Sequence, residues 1–142
     1  MLAIQEIDSD EGIQSAYALM AQLRDRIAPE SFLAEVRRQQ REGYVLLGGQ
    51  VEREWVVLAG IRNAHTLAWG EHIFVDDLVT AAASRGKGHG TAMLRFIAAR
   101  ANRLGIPRIY LDSRNTAREF YEKLGFTCLT AIPCWIDVAA LG

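Results

Sequence analysis

The sequence predicts an α+β fold in which helices pack against a mixed sheet. Strand-like and helix-like segments follow one another in the order β-α-α-β-β-β-α-β-α-β, which is neither all-helical nor a regular β-α alternation. Half of the 142 residues are hydrophobic and 23% are charged, enough to bury one real core. No repeat, linker-like stretch or low-complexity tract interrupts the chain, so a single domain over residues 1–142 is expected.

Each element has a local cause. Leu2–Ile7 reads as a first strand. Asp8, Ser9 and Asp10 offer caps for a helix with the stripe Ile13, Ala16, Tyr17 and Met20. Pro29 suits the first turn of a second helix carrying Phe32, Leu33 and Val36, and Gly43 ends it. Tyr44–Leu47 and Trp55–Ile61 read as strands joined by a turn near Gly49-Gln50-Val51-Glu52-Arg53. Trp69–Thr80 is a longer strand. Gly88–Leu104 is the best helix, with Met93, Phe96, Ile97, Ala101 and Leu104 on one face, and Gly105-Ile106-Pro107 stops it. Arg108–Asp112 is a strand, a short helix around Tyr121 follows, and a last strand pair or hairpin is expected over Phe126–Val138.

The composition excludes several classes. A net charge of −1 lacks the basic excess of a nucleic-acid or membrane-surface protein. No apolar run approaches 18 residues, and Met1-Leu2-Ala3-Ile4-Gln5-Glu6 lacks the basic and apolar regions of a signal peptide, so a cytoplasmic protein is expected. Cys128 and Cys134, with no histidine or second cysteine pair beside them, read as buried small residues rather than a metal site or disulfide. The short apolar tail Val138-Ala139-Ala140-Leu141 offers a homodimer contact or a frayed end.

The most informative stretch is Arg85-Gly86-Lys87-Gly88-His89-Gly90-Thr91, between a strand and a helix. Three glycines alternate with basic residues where backbone N–H groups lack intrahelical partners, a pattern suited to phosphate. Gly88 follows the Gly-Lys pair, so the loop is not a Walker loop. Its G-x-G-x-G spacing and late position also exclude the dinucleotide fingerprint. What remains is R-x-x-G-x-G, filled by Arg85, Gly88 and Gly90. Further on, Ala117, Phe120, Tyr121 and Leu124 form one apolar stripe, and Gly125 stands where a helix end needs a left-handed residue before Phe126.

Taken together, R-x-x-G-x-G and the segment A-x-x-x-Y-x-x-x-G-F over Ala117–Phe126 resemble the GCN5-related N-acetyltransferase (GNAT) family across Ile73–Phe126. The resemblance implies a mixed, mostly antiparallel sheet and acetyl-CoA as cosubstrate, with no metal. It implies transfer to a primary amine, of a small molecule or a protein, by direct attack in a ternary complex. A non-catalytic acyl-CoA-binding module, or a transferase of another acyl group, would share the same loop. Arg85, Gly86, Lys87, Gly88, His89, Gly90 and Thr91 would hold the pyrophosphate. Backbone groups of Leu78, Val79 and Thr80 would hold the pantetheine arm as an added strand. Tyr121 would protonate the leaving thiolate.

A base is also required, because a lysine-type amine with a pKa near 10.4 is mostly protonated at pH 7. Asp76 and Asp77 lie on the strand before the loop, and alternation places them on opposite faces, Asp76 with Leu78 and Thr80, Asp77 with Val79. Two adjacent acids in an apolar strand are unusual, and both are candidates. Asp112 is a third, by resemblance. Glu71 and His72 stand at the strand's start, His65 reads as a loop residue, and His89 as a phosphate donor. Two features depart from the family: Arg114 stands where it often has an asparagine, with Asn115 one residue off register and Thr116-x-x-Glu119 offering a competing capping box, and Ala81-Ala82-Ala83-Ser84 stands where a proline and an aromatic residue often precede the loop's first arginine.

Overall fold

Five strands, β1 (Ala3–Glu6), β2 (Tyr44–Val51), β3 (Glu54–Thr66), β4 (Gly70–Thr80) and β5 (Ile109–Leu111), form one open sheet in that order in the computed structural model, which describes residues 1–142. The first four pair antiparallel and β5 joins β4 in parallel. The sheet is therefore mixed and mostly antiparallel, as expected. The residues form two compact units, Met1–Asp112 and Ser113–Gly142.

In the first unit, Ser9 caps α1 (Asp10–Ser15) by accepting from the Gly12 N–H at 3.0 Å. The helix expected to continue breaks at Ala16, and α2 (Tyr17–Met20) carries on as a single turn; Ile13, Ala16 and Met20 are still buried. Pro29 opens α3 (Pro29–Gln40), whose Phe32 and Val36 are buried, and Gly43 leaves it at φ +99°. These helices cover one face of the sheet, where Ile13, Met20, Phe32, Tyr44, Leu46 and Leu58 share a core. The opposite face is covered by α4 (His89–Arg103), which packs on β3 and β4.

Two expectations change here. The turn between β2 and β3 is only Glu52-Arg53, both left-handed at φ +50° and +68°, as a two-residue hairpin requires. Gly48 and Gly49 are strand residues, paired with Leu58 and Val57, and they are glycines because neighbours crowd them. A Cβ on Gly48 would lie 2.5 Å from Ile7, and one on Gly49 2.7 Å from Val57. On α4 the buried stripe is Met93, Leu94, Ile97 and Ala101. Leu104 is 53% exposed, because it is the C-cap, where the chain turns away. Gly105 at φ +70° then closes the end: its N–H donates to Asn102 O and that of Ile106 to Ala101 O.

The second unit begins with a 3₁₀ turn, Asn115–Ala117, and then α5 (Arg118–Lys123). Thr116 lies inside the turn and Ala117 is the N-cap, so the capping box does not form. Gly125 at φ +97° ends α5 with the paired bonds Gly125 N–H to Glu122 O and Phe126 N–H to Tyr121 O. The strand pair expected over Phe126–Val138 is absent. A strand persists only when a neighbour takes its backbone groups, and residues 127–137 enter no ladder. Leu129, Ile132, Trp135 and Ile136 are consequently exposed, and Val138–Leu141 forms a 3₁₀ turn. Both cysteines are free thiols, but the expected burial fails: Cys134 is exposed and Cys128 only half-buried, because their segment packs into no element.

Candidate active site

The site begins with an irregularity in β4. Gly60 pairs with Asp77 and Ile61 with Val75, so Asp76 is an extra residue, a β-bulge. The bulge overturns the expectation that Asp76 and Asp77 face opposite sides. Tyr44 and Arg62 are directly opposed in register and so share a face. The Tyr44 hydroxyl donates to Asp77 Oδ2 at 2.8 Å, while Arg62 donates from Nε (2.6 Å) and Nη2 (2.9 Å) to the two oxygens of Asp76. Both carboxylates thus reach the helix α1–α3 side. Arg24, just beyond α2, locks the pair by donating from Nε to Asp77 Oδ1 and from Nη2 to the Asp76 carbonyl, each at 2.8 Å.

The electrostatics follow from this packing. Burial, and then the negative charge and hydrogen bond of Asp77, raise the Tyr44 phenol far above its ordinary value. Arg62 is raised by its hydrogen bonds to Asp76. Tyr44 reaches Asp77 only because Gly60 has no side chain; a Cβ there would lie 1.9 Å from the Tyr44 oxygen.

The bulge also marks where β4 loses a neighbour. Parallel pairing with β5 covers only Ile73–Val75 against Ile109–Leu111, so Asp76–Thr80 keep a free backbone edge on that side. Leu78, Val79 and Thr80 lie on this edge. The chain then passes through a 3₁₀ turn, Ala82–Ser84, into the glycine loop. Gly86 and Gly88 adopt φ +81° and +82°, and a Cβ at either would meet nothing, so glycine is required there by backbone conformation alone. Gly88 is the N-cap of α4 with no side-chain cap, and the helix has no acid in its first turn. The amides of His89, Gly90 and Thr91 precede the first intrahelical bond, from Ala92 N–H to Gly88 O, and face the positive end of the helix dipole. Arg85 and Lys87 flank them, exposed and without ion-pair partners.

A cleft of about 220 Å³ opens on the same side as the two carboxylates, lined by Met20, Arg24, Ile27, Phe32, Val36 and Asp77, with Glu35, Gln39 and Tyr44 completing it. Asp77 faces this cleft; Asp76 does not line it. The other candidates lie elsewhere. Glu71 is exposed, and His65 is a residue of β3 paired with Glu71 rather than part of a loop. His72 is only 2% exposed, with Nδ1 2.8 Å from the Gly70 carbonyl oxygen and its ring against Trp69 and Tyr110. Asp112 is exposed just past β5.

Within the second unit Tyr121 is buried, its ring edge-on to Phe120 (5.1 Å) and Phe126 (5.4 Å). Burial raises its phenol above the ordinary value, so it stays protonated at neutral pH. Arg114 and Asn115 are exposed. No group of three histidine, cysteine or acidic residues is placed to hold a metal, and no helix is long and apolar enough to cross a membrane.

Sequence reading missed Tyr44, Arg24 and Arg62. Gly60, a lone glycine in an apolar strand, was the available signal, since such a residue marks a bulge or a close approach.

An open sheet whose fourth strand bulges and frees its edge just before a glycine loop at a helix N-terminus is the framework of an acyl-CoA-type acyltransferase. The comparisons agree: the chain belongs to the acetyltransferase (GNAT) family, whose model matches residues 9–126. It is 30% identical over 132 residues to the uncharacterized N-acetyltransferase YhdJ of Bacillus subtilis (strain 168), covering 89% of this chain and 93% of that protein. Its fold is similar to a Trypanosoma brucei acetyltransferase, with a TM-score of 0.77, 22% identity and coverage of 97% and 100% of the two chains. It is also similar to an aminoglycoside N-acetyltransferase in complex with CoA, with a TM-score of 0.83, 12% identity and coverage of 97% and 95%.

Proposed function

We propose that this protein transfers the acetyl group of acetyl-CoA to a primary amine by direct attack within a ternary complex. One observation carries the reading: the free edge of Asp76–Thr80 leads straight into a loop of unpaired amides flanked by Arg85 and Lys87. The amides of a pantetheine arm match a strand edge, and a pyrophosphate matches the loop. The cleft holding Asp77 opens beside the same strand, so acceptor and thioester would approach from two sides of β4.

In the reaction the amine gives up a proton, its nitrogen attacks the thioester carbonyl, and the C–S bond breaks. Asp77 is our candidate base. Tyr44 and Arg24 already hold its two oxygens, so it would take the proton through a bridging water. Asp76, held by Arg62, fixes the bulge that turns Asp77 toward the cleft. A backbone N–H of the free β4 edge would stabilise the oxyanion. For the departing thiolate our candidate acid is Tyr121, a buried phenol kept protonated.

The test is calorimetric titration with acetyl-CoA, free CoA and ATP, beside a Gly88→Trp variant, followed by thiol release with an amine panel. Micromolar binding of acetyl-CoA that the variant loses, with ATP silent and thiol release dependent on amine, is the expected result. Tight binding without turnover on any amine would favour a non-catalytic acyl-CoA module. Replacing Tyr121 by Phe lowers turnover more than acetyl-CoA affinity if the hydroxyl is the acid.

A further inference from the structure

The cleft beside Asp77 has a chemical character that narrows the acceptor, an inference that rests on the transferase reading above. Its apolar walls are Met20, Ile27, Phe32 and Val36, three of which are core residues exposing one side to the opening. Its volume of about 220 Å³ lies below the range usual for drug-sized ligands, and corresponds to roughly seven waters at about 30 Å³ each. A compact body no larger than a single ring or a branched alkyl group beyond the amine fills it.

The charges in the cleft are unequal in availability. Arg24 is the only cation in its lining, and two of its donors are committed to Asp77 Oδ1 and the Asp76 carbonyl. Its charge is offset by the Asp77 carboxylate it pairs with, so it adds no net positive charge to the cleft. Glu35 on α3 has no ion-pair partner and stands exposed in the lining. The uncompensated charge of the cleft is therefore negative. The remaining polar groups of the lining, Gln39 and Tyr44, are neutral and cannot reverse that balance.

We propose that the acceptor is a small cationic amine borne on an apolar body, aryl or branched alkyl, that Glu35 draws into the cleft and selects against anionic amines. An amine carrying a carboxylate or phosphate would meet Glu35 with no cation beyond Arg24, already paired with Asp77, to offset it. A polyhydroxylated amine would set those of its hydroxyls that face Phe32, Ile27 and Val36 against walls with no partner for them. Glu35 acts before chemistry, on binding, so its loss moves KM and leaves kcat.

The experiment compares 2-phenylethylamine with phenylalanine, ethanolamine and glucosamine 6-phosphate as acceptors in the full-length protein with acetyl-CoA, in wild type and in the surface variants Glu35→Gln and Glu35→Lys. Phenylethylamine is expected to exceed each of the other three at least tenfold in kcat/KM. Glu35→Gln raises its KM by about two- to fivefold, the range of an exposed charge pair, with kcat unchanged. Glu35→Lys raises it further, and added salt narrows the difference between wild type and variant. Equal or better turnover of phenylalanine or the sugar phosphate overturns the proposal, as does an unchanged KM in both variants. Equilibrium binding of phenylethylamine without acetyl-CoA separates the two readings. If the amine binds in a Glu35-dependent way while acetyl-CoA does not bind, the cofactor reading fails and the cleft assignment stands. If acetyl-CoA binds but phenylethylamine neither binds nor reacts, the acceptor assignment fails alone.

Discussion

The Tyr44 hydroxyl bonds to Asp77 Oδ2 at 2.8 Å over the bare backbone of Gly60, so one strand's tyrosine and another's aspartate meet across an intervening strand. The bond joins the core under α3 to the edge of the cleft. It also makes the phenol a poor acid, first by burial and then through the Asp77 charge.

Stability at alkaline pH should depend on Tyr44. Below pH 10 both folded and unfolded chains hold the phenol proton. Above it the unfolded chain releases the proton first, while the folded phenol, raised far beyond 10.0, keeps it. Stability therefore falls as pH rises, by up to about 1.4 kcal/mol per pH unit from this group. Urea midpoints between pH 8.5 and 11 should fall less steeply in Tyr44→Phe than in wild type. Parallel curves for the two proteins would show that Tyr44 ionises normally.

Gly60→Ala should destabilise the protein although its chemistry is benign. The new methyl would lie 1.9 Å from the Tyr44 oxygen and 2.3 Å from its ring, and Asp77 holds that ring in place. The expected cost is about 1–3 kcal/mol. Combining it with Tyr44→Ala should cost less than the two changes summed, since the clash disappears. Full additivity in urea melts would place the damage elsewhere.

The two aspartates should separate kinetically. As the proposed base facing the cleft, Asp77 replaced by Asn should lower kcat by about 10²- to 10⁴-fold. Asp76→Asn leaves Arg62 half-paired and loosens the bulge, so its main effect should be on stability and on acceptor KM. Equal falls in kcat with unaltered stability for both variants would contradict this division.

Gly86→Ala tests the loop without adding bulk. Nothing lies within 4 Å of the new methyl, but φ +81° is unfavourable for an L side chain, at about 1–2 kcal/mol. The exposed loop would relax to another conformation and disperse its amides. Acetyl-CoA affinity should drop about tenfold or more, while the urea midpoint barely moves. An unchanged affinity would mean that the loop's conformation is not what binds the cofactor.

Much of this was legible in the chain because its causes are local. Ser9 and Pro29 start helices, Gly105 and Gly125 end them, and Gly86 and Gly88 take the left-handed turns that lead into α4; each acts within a few residues. The pairing partners of Asp76 and Asp77 were not legible. Arg24 lies 53 residues before Asp77 and Tyr44 lies 33 before it, and no local rule links such positions. Leu129–Ile136 shows the opposite error: strand-like composition without a ladder partner makes no strand.

The order of elements from β1 to α5, the mixed sheet and the glycine loop with its family resemblance could be read from the chain alone, since backbone dihedrals, caps and hydrophobic period are written residue by residue. Which way the acids point depends on how two distant strands pair. A bulge is a mismatch between two strands, Gly60–Ile61 against Val75–Asp77, and neither strand contains it alone. That one extra residue turns Asp77 toward Tyr44, Arg24 and the cleft, because strand alternation counts paired residues rather than residues in the chain.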